Sequence, residues 1–592
     1  MKEILTNNTP EKWEEIKTHP FYKKELETLV EEGEEYLSSP IPALPLSAFR
    51  RFMQDGNRSE FERPYFERRR RIARLAILCR LYGEKYKDAL EDMIWAVLEE
   101  SSWTLPAHLH ELYTEEYDRR TFLDLFSTET GALLAETDHI LADRLSSFVR
   151  ERIKREVRER IIAPFFTRYH WEWMDGPDNW DAVCTSQVAL CIMYLGTETE
   201  FRRAEPTFAR AIDIFLSTYG EDGCCLEGLN YWNYGFGFLL NYADAIRNYS
   251  EGRTLFPRME LSLPHHKRED AHDHERGIID YFKREDVKRA ALFAQNVRLT
   301  GDSAVSFSDA NAQYACTRSH LYLLMREYPG LVSYPDKELL VQSASAGSHG
   351  ILRHFLWSDP EAEYGAPMKN ETIFYEEGGW FIRKSERYSI AAKGGHNDEA
   401  HNHNDVGSFL IATREGHTFC DLGSGEYTRQ YFDEKTRYDY LVCSSRGHSV
   451  PIVNGVLQKK GKEPSTVITD RKDAFSVSFA ACYEESSLKE LTRRFACDEN
   501  GFTMTDTYVF DAMPKSVTER FVTCCEPVLG DGEVMVGDVV LRYDSALFAV
   551  SVTRETYSAQ NCKMTVAYLL DLIPLQLDTL MTFGIRFDIL EK

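Results

Sequence analysis

Nowhere does the 592-residue chain approach the roughly 18 consecutive apolar residues that a membrane-spanning helix needs, so no such span is expected. The first residues, Met1 to Asn8, lack the apolar core of a secretory leader, and the expectation drawn from this is a cytoplasmic location. Basic residues are scarce: 70 Lys and Arg stand against 95 Asp and Glu, a formal net charge of −25 with a pI near 5.2. This balance argues against nucleic acid and against an anionic membrane as partners. A polyanionic substrate would need basic groups gathered locally. The 13 cysteines contain no Cys-x-x-Cys pair, and the adjacent pairs Cys224-Cys225 and Cys524-Cys525 cannot easily bridge internally. Reduced, mostly buried thiols are expected. No tryptophan follows Trp380, although the chain has nine. Their concentration in the earlier part fits an aromatic-lined cleft there, with core packing as their ordinary use.

The length calls for two or three domains. Up to about residue 355 the apolar residues recur at helical spacing, as in Phe66–Tyr86 with Ile72, Leu75, Leu78 and Tyr82. Further helices are expected at Ala89–Leu98, from Glu136, over Arg144–Ile162 and at the nearly all-apolar Gln187–Leu195. There is no strict sequence period, so any repetition of helix pairs is structural. The basic run Arg68–Arg71 reads as a solvated helix face. Residues 251–285, with His265, His266, His272 and His274 among prolines and charges, read as a long polar connection or lid. Beyond about residue 360 short strand-like runs take over: Thr372–Tyr375, Tyr388–Ala392, Phe475–Phe479, Phe502–Phe510 and Leu547–Val552. These predict an antiparallel sandwich over 356–592 after a helical domain over 1–355.

One polar stretch stands out: His401-Asn402-His403-Asn404-Asp405 directly precedes the apolar Phe409–Ala412. If it is extended, His401, His403 and Asp405 share one face. Asp421 and His448 lie further on, and two histidines with an aspartate suit zinc. Two stretches in the helical half, 173–184 and 222–235, place turn residues and then polar and aromatic groups at the start of an apolar helix. The ordinary use of Asn179 would be a helix N-cap, and of Tyr231 a packed aromatic.

The run Lys393-Gly394-Gly395, HNHNDVGSF over 401–409, Asp421-Leu422-Gly423 and Gly447-His448-Ser449 before Val450–Gly455 resembles the heparinase II/III-like polysaccharide lyase family. The resemblance implies an N-terminal α/α toroid (an incomplete barrel) and a C-terminal antiparallel β-sandwich, with chemistry between them. It implies β-elimination at a uronic acid of an anionic oligo- or polysaccharide, such as heparan sulfate, hyaluronan, chondroitin or alginate. Its Asn-aromatic pair and E-G-x-x-Y pattern correspond to Asn179-Trp180 and Glu227-Gly228-x-x-Tyr231. Asn179 would then neutralise the carboxylate, Tyr231 would act as acid or base, and His401 would complement it across the cleft. Glu227, Trp180, Tyr234, Asn402, Tyr427 and Tyr438 are the candidate substrate contacts. His403, Asp421 and His448 would hold a structural divalent metal, zinc by ligand type. Similar lyases often carry a histidine after the asparagine, and Trp180 stands there instead. That departure keeps a non-catalytic carbohydrate-binding protein of the same fold in view. A metallohydrolase is the other alternative, but the H-x-H-x-D motif of that class continues with a histidine where this chain has Val406. Assembly into a homo-oligomer is left open.

Overall fold

The computed structural model describes residues 3–109, 119–168, 170–250, 279–333, 335, 340–341, 348–463, 465–469 and 473–590. The histidine cluster at 265–274 lies outside the described residues.

Helices fill the first part of the chain. The most buried is Asn179–Leu195, whose side chains are apolar nearly all round. A helix of that composition must be covered on every side. Leu125–Ile140, Glu198–Ser217 and Gly237–Tyr249 all pack against it. The stretch from Glu136 closes the helix Leu125–Ile140 rather than opening one, and Ser147–Val157 runs into a π-turn, Arg158–Ile162. The basic run is not a solvated face. Arg69 and Arg71 are buried in the helix Ser59–Tyr82, and Arg68 and Arg69 both bond Glu100, at 2.9 and 2.6 Å. A partner 31 residues away in sequence accounts for the difference. Seven of the nine tryptophans are buried in the core, leaving Trp95 and Trp180 as the half-exposed ones. Core packing is therefore their main use. No described helix is long and apolar enough to cross a membrane.

After the helix Ser348–Trp357 the architecture changes to sheets. A five-stranded meander runs Glu371–Tyr375, Trp380–Lys384, Ser389–Lys393, Phe409–Thr413 and Gly416–Phe419. An eight-stranded sheet and a four-stranded sheet built around Val517–Thr523 and Met564–Pro574 complete the sandwich. Every strand pairing described beyond residue 370 is antiparallel. The meander is the middle layer of the molecule. Trp380, Ile382, Ala391, Leu410 and Ala412 belong to the helical core, while Phe381, Ile390, Ala392, Phe409 and Ile411 belong to the sandwich core. Successive strand residues point to opposite faces. Both faces are buried, so these strands read as continuous apolar runs rather than alternating ones.

Candidate active site

The helical half contributes two helix beginnings. Asp178, not Asn179, caps Asn179–Leu195, its Oδ1 accepting from the Trp180 backbone N–H at 2.7 Å. The amide of Asn179 is thereby free to donate to Glu227 Oε2 at 3.4 Å. Tyr231 ends the single turn Leu229–Tyr231 and is followed by a π-turn, Trp232–Phe236. Wide turns of this kind re-aim side chains and often sit at functional sites. Gly228 holds φ +87°, and a Cβ there would lie 2.6 Å from the Cβ of Ala310. Only glycine lets this loop close onto the Ser308–Ala310 turn.

The sandwich contributes loops. His401 lies in a turn with φ +55°, not in a strand. The extended arrangement expected for His401, His403 and Asp405 is therefore absent. Asp405 goes instead to Lys393 Nζ at 2.7 Å, a fully buried ion pair, and plays no part in a metal cluster. Arg437 holds the other end of the loop by donating to the Asn402 carbonyl at 3.0 and 3.1 Å.

These loops bring Tyr231 and His401 together, their rings 4.2 Å apart and Tyr231 Oη 3.2 Å from His401 Nδ1. A carboxylate holds His401 directly and Tyr231 through Tyr427. Asp309, fully buried, lies 2.7 Å from His401 Nδ1 through Oδ2 and 3.0 Å from His403 Nε2 through Oδ1. Tyr427 and Tyr431 also donate their hydroxyl protons to Asp309. Because the one proton of Tyr427 goes to Asp309, Tyr427 accepts from Tyr231 across 2.9 Å. On the far side His401 Nε2 faces Glu227 Oε2 at 3.6 Å.

Burial sets the protonation of this group. It would raise the Asp309 carboxyl, but hydrogen bonds from His401 and His403 outweigh it and hold Asp309 well below the ordinary carboxylate range. Burial, and then the neighbouring Tyr427, Asp309 and Glu227, push the Tyr231 phenol well above its usual value. The same cause pushes Glu227 up to about 7, with His401 pulling the other way.

His403, Asp421 and His448 form a second, buried cluster whose ligand atoms all lie within 4.8 Å of one another. His403 Nδ1, Asp421 Oδ2 and His448 Nδ1 have no hydrogen-bond partner, although His448 Nδ1 is only 3.1 Å from Asp421 Oδ2. The outer ring nitrogens are anchored, His403 Nε2 on Asp309 and His448 Nε2 on the Val442 carbonyl at 2.8 Å. Anchoring the far nitrogen in this way orients a metal-binding imidazole. Three orphaned donors of nitrogen and oxygen type in a dry site fit a divalent cation such as zinc.

No family model matches the sequence, and no curated protein matches it. The structure is similar to solved heparinase III, with a TM-score of 0.59 at 13% identity over 99% of this chain and 93% of that one. It is similar to heparan sulfate lyase HepC from Pedobacter heparinus, with a TM-score of 0.55 at 11% identity over 99% and 93%. It is also similar to the Streptomyces coelicolor A3 chondroitin AC lyase solved with chondroitin sulphate, with a TM-score of 0.52 at 11% identity over 98% and 82%. The fold is that of these polysaccharide lyases. The toroid followed by an antiparallel sandwich, expected from the sequence, is the architecture present.

Within this lyase fold the sequence candidates divide. Asn179, Glu227, Tyr231, His401 and Tyr427 form one connected group, and His403, Asp421 and His448 another. Trp180 packs its ring on His108, with centroids 4.8 Å apart. Tyr234 donates to Glu129 at 2.7 Å, and Asn402 donates to Tyr438 at 3.2 Å. Asp309 was missed, yet it links the two groups. Its only sequence signal is a short run, Ser306-Phe307-Ser308-Asp309, breaking the helical pattern. Ser308 has φ +61°, and Gly423 as well as Gly228 closes on this turn, a Cβ on Gly423 falling 2.6 Å from the Ala310 carbonyl.

Proposed function

We propose that the protein is a lyase that cleaves uronate-containing glycans by β-elimination. The observation that carries this is the contact of Tyr231 with His401 beside the Asn179 amide, in a fold that glycosaminoglycan lyases share. Elimination removes the weakly acidic proton α to the carboxylate and breaks the bond to O4. It therefore needs a base, a proton donor and neutralisation of the carboxylate.

His401 donates its Nδ1 proton to the Asp309 carboxylate, which leaves the Nε2 lone pair facing the Glu227 side of the cleft. This nitrogen takes the C5 proton. The C5 electron pair forms the C4=C5 double bond, and the C4–O4 bond breaks. Tyr231, neutral in its buried setting, gives its phenolic proton to the departing O4. The cycle closes when Nε2 of His401 loses the C5 proton to water and the Tyr231 phenolate takes a proton from water, restoring the starting states. Asn179 donates to the substrate carboxylate.

His403, Asp421 and His448 would hold one divalent metal, zinc by donor type. Held by these residues, a cation would fix the loop that carries His401. The partner is an anionic oligo- or polysaccharide, and the uronate polymers named above are the substrates to screen. The test is incubation with a panel of uronate oligosaccharides while following the ultraviolet absorbance of the conjugated double bond. A rise with at least one glycan is expected. A panel that yields only hydrolysis products, or none, overturns the proposal.

A further inference from the structure

The two groups that elimination needs beside the substrate carboxylate are already turned toward a carboxyl group of the protein. Glu227 Oε2 lies 3.4 Å from Asn179 Nδ2 and 3.6 Å from His401 Nε2. The Glu227 side chain is only 13% exposed. The charged or titratable groups near it are His401 on the sandwich loop, Asp178 at the helix N-cap, Asp309 on the Ser308–Ala310 turn, and Tyr231, Tyr219 and Cys225 of the helical half, whose own shifts keep them neutral. Glu227 therefore occupies the space between Asn179 and His401, with Asp178 and Asp309 near enough to act on its charge, and a uronate entering that space brings a further carboxyl group. Two carboxylates side by side, shielded from water, cannot both stay ionised, and such pairs share a proton.

We propose that Glu227 is a catalytic residue that meets the substrate carboxylate as the neutral acid and donates its own proton to it as a hydrogen bond. The proposal rests on the uronate-elimination reading and adds the residue that, with Asn179, neutralises the carboxylate. As the C5 proton leaves for His401, negative charge moves onto the carboxylate oxygens. The hydrogen bond from Glu227 strengthens at that moment, which is when stabilisation accelerates a reaction. The proton can stay on Glu227 throughout, so no additional reactant is required. Burial, with Asp178 and Asp309 adding to it, pushes the Glu227 carboxyl up to about 7, so the neutral form is well populated near neutrality. The N-terminus of the Asn179 helix adds a favourable dipole for the shared negative charge.

The experiment compares KM and kcat for the wild type, Glu227→Gln and Glu227→Ala from about pH 5.5 to about pH 9, a range spanning ordinary and raised carboxyl values. For the wild type, KM should rise as pH passes about 7, because ionised Glu227 repels the substrate. Glutamine stays neutral and keeps a donor. Its KM should stay level over the same range, with kcat within about tenfold of the wild type, whereas alanine should lose about 100-fold in kcat, the scale of one lost stabilising donor. An alkaline rise of KM in Glu227→Gln equal to that of the wild type overturns the proposal. So do equal losses in the Gln and Ala variants, or a wild-type KM that stays level. A wild type that forms unsaturated product while failing these tests removes only the role of Glu227. A wild type that forms none from any uronate glycan removes the elimination reading itself.

Discussion

Tyr231 and Asp181 hold their protons for the same reason. Each is an acid whose charged form has lost its water. For Tyr231 the consequence is chemical, because a neutral phenol beside His401 is a proton donor. Tyr231→Phe removes only the hydroxyl, so the far-ultraviolet circular dichroism should be unchanged while formation of unsaturated product falls at least about 100-fold. Asn179→Ala should also depress turnover, since the carboxylate loses a donor. Near-normal rates in both variants would remove these residues from the site. For Asp181 the consequence is thermodynamic. It is fully buried, neither carboxyl oxygen has a hydrogen-bond partner, and burial, with Asp178 beside it, pushes it up to about 9. An acid whose folded value is raised supports folding best below its unfolded value, near 4, and loses that support as pH climbs toward the folded value. The loss is at most about 1.4 kcal/mol per pH unit. Asp181→Asn should therefore melt at a higher temperature than the wild type, with an advantage that grows from about pH 5 to about pH 9. Melting curves that stay parallel across that range would count against a buried neutral carboxyl.

The decisive element is the loop from Asn397 to Ser408. Backbone bonds tie it down at Asn397, Asn404 and Gly407, and side chains fix the rest: Lys393 grips Asp405, Arg437 grips the Asn402 carbonyl, and Asp309 grips both His401 and His403. His403 thus shares one carboxylate with His401, so the candidate metal cluster and the candidate catalytic histidine are two residues apart in sequence and one carboxylate apart in space. Purified protein should contain about one zinc or similar cation per chain, and His403→Ala should reduce that to a small fraction, read by elemental analysis. Chelation should lower the melting temperature as well as the rate, because a bound ion stabilises the state that binds it. Metal-free protein that keeps full stability and activity would leave the cluster as three buried polar groups with no ion to satisfy them.

At the scale of the whole molecule, the five-stranded meander joins two cores. Trp380 is fully buried on its helical face, 5.2 Å from the Phe307 ring and 6.2 Å from Phe293, while its neighbour Phe381 stacks on Phe475 of the sandwich at 5.2 Å. Contacts of this kind couple the two halves. Trp380→Ala should cost about 3–5 kcal/mol, as large buried aromatics do. The helical signal at far-ultraviolet wavelengths should fall in the same unfolding transition as the near-ultraviolet signal of packed aromatics. Two well-separated transitions in the wild type would show the cores to be independent.

Much of this was legible along the chain. The switch from a period of 3.6 to strand-like runs near residue 360 is local, because amphipathicity is written residue by residue. The ligand types of His403, Asp421 and His448, and the glycine that lets Glu227 and Tyr231 share one turn, are local as well. The solvated face assigned to Arg68–Arg71 and the extended run assigned to 401–405 were both overturned by distant partners, Glu100 in the first case, Lys393 and Asp309 in the second. Asp309 itself is separated by 92 residues from His401 and by 122 from Tyr431. Burial and charge pairing depend on what the folded chain brings alongside a residue, which no window of sequence contains. The sequence by itself determined the two architectures and the kinds of chemical group available. Only the tertiary structure decided which carboxylate the histidines share, and which of the acids around Asn179 keep their protons, because both follow from removing water around groups that meet only after folding.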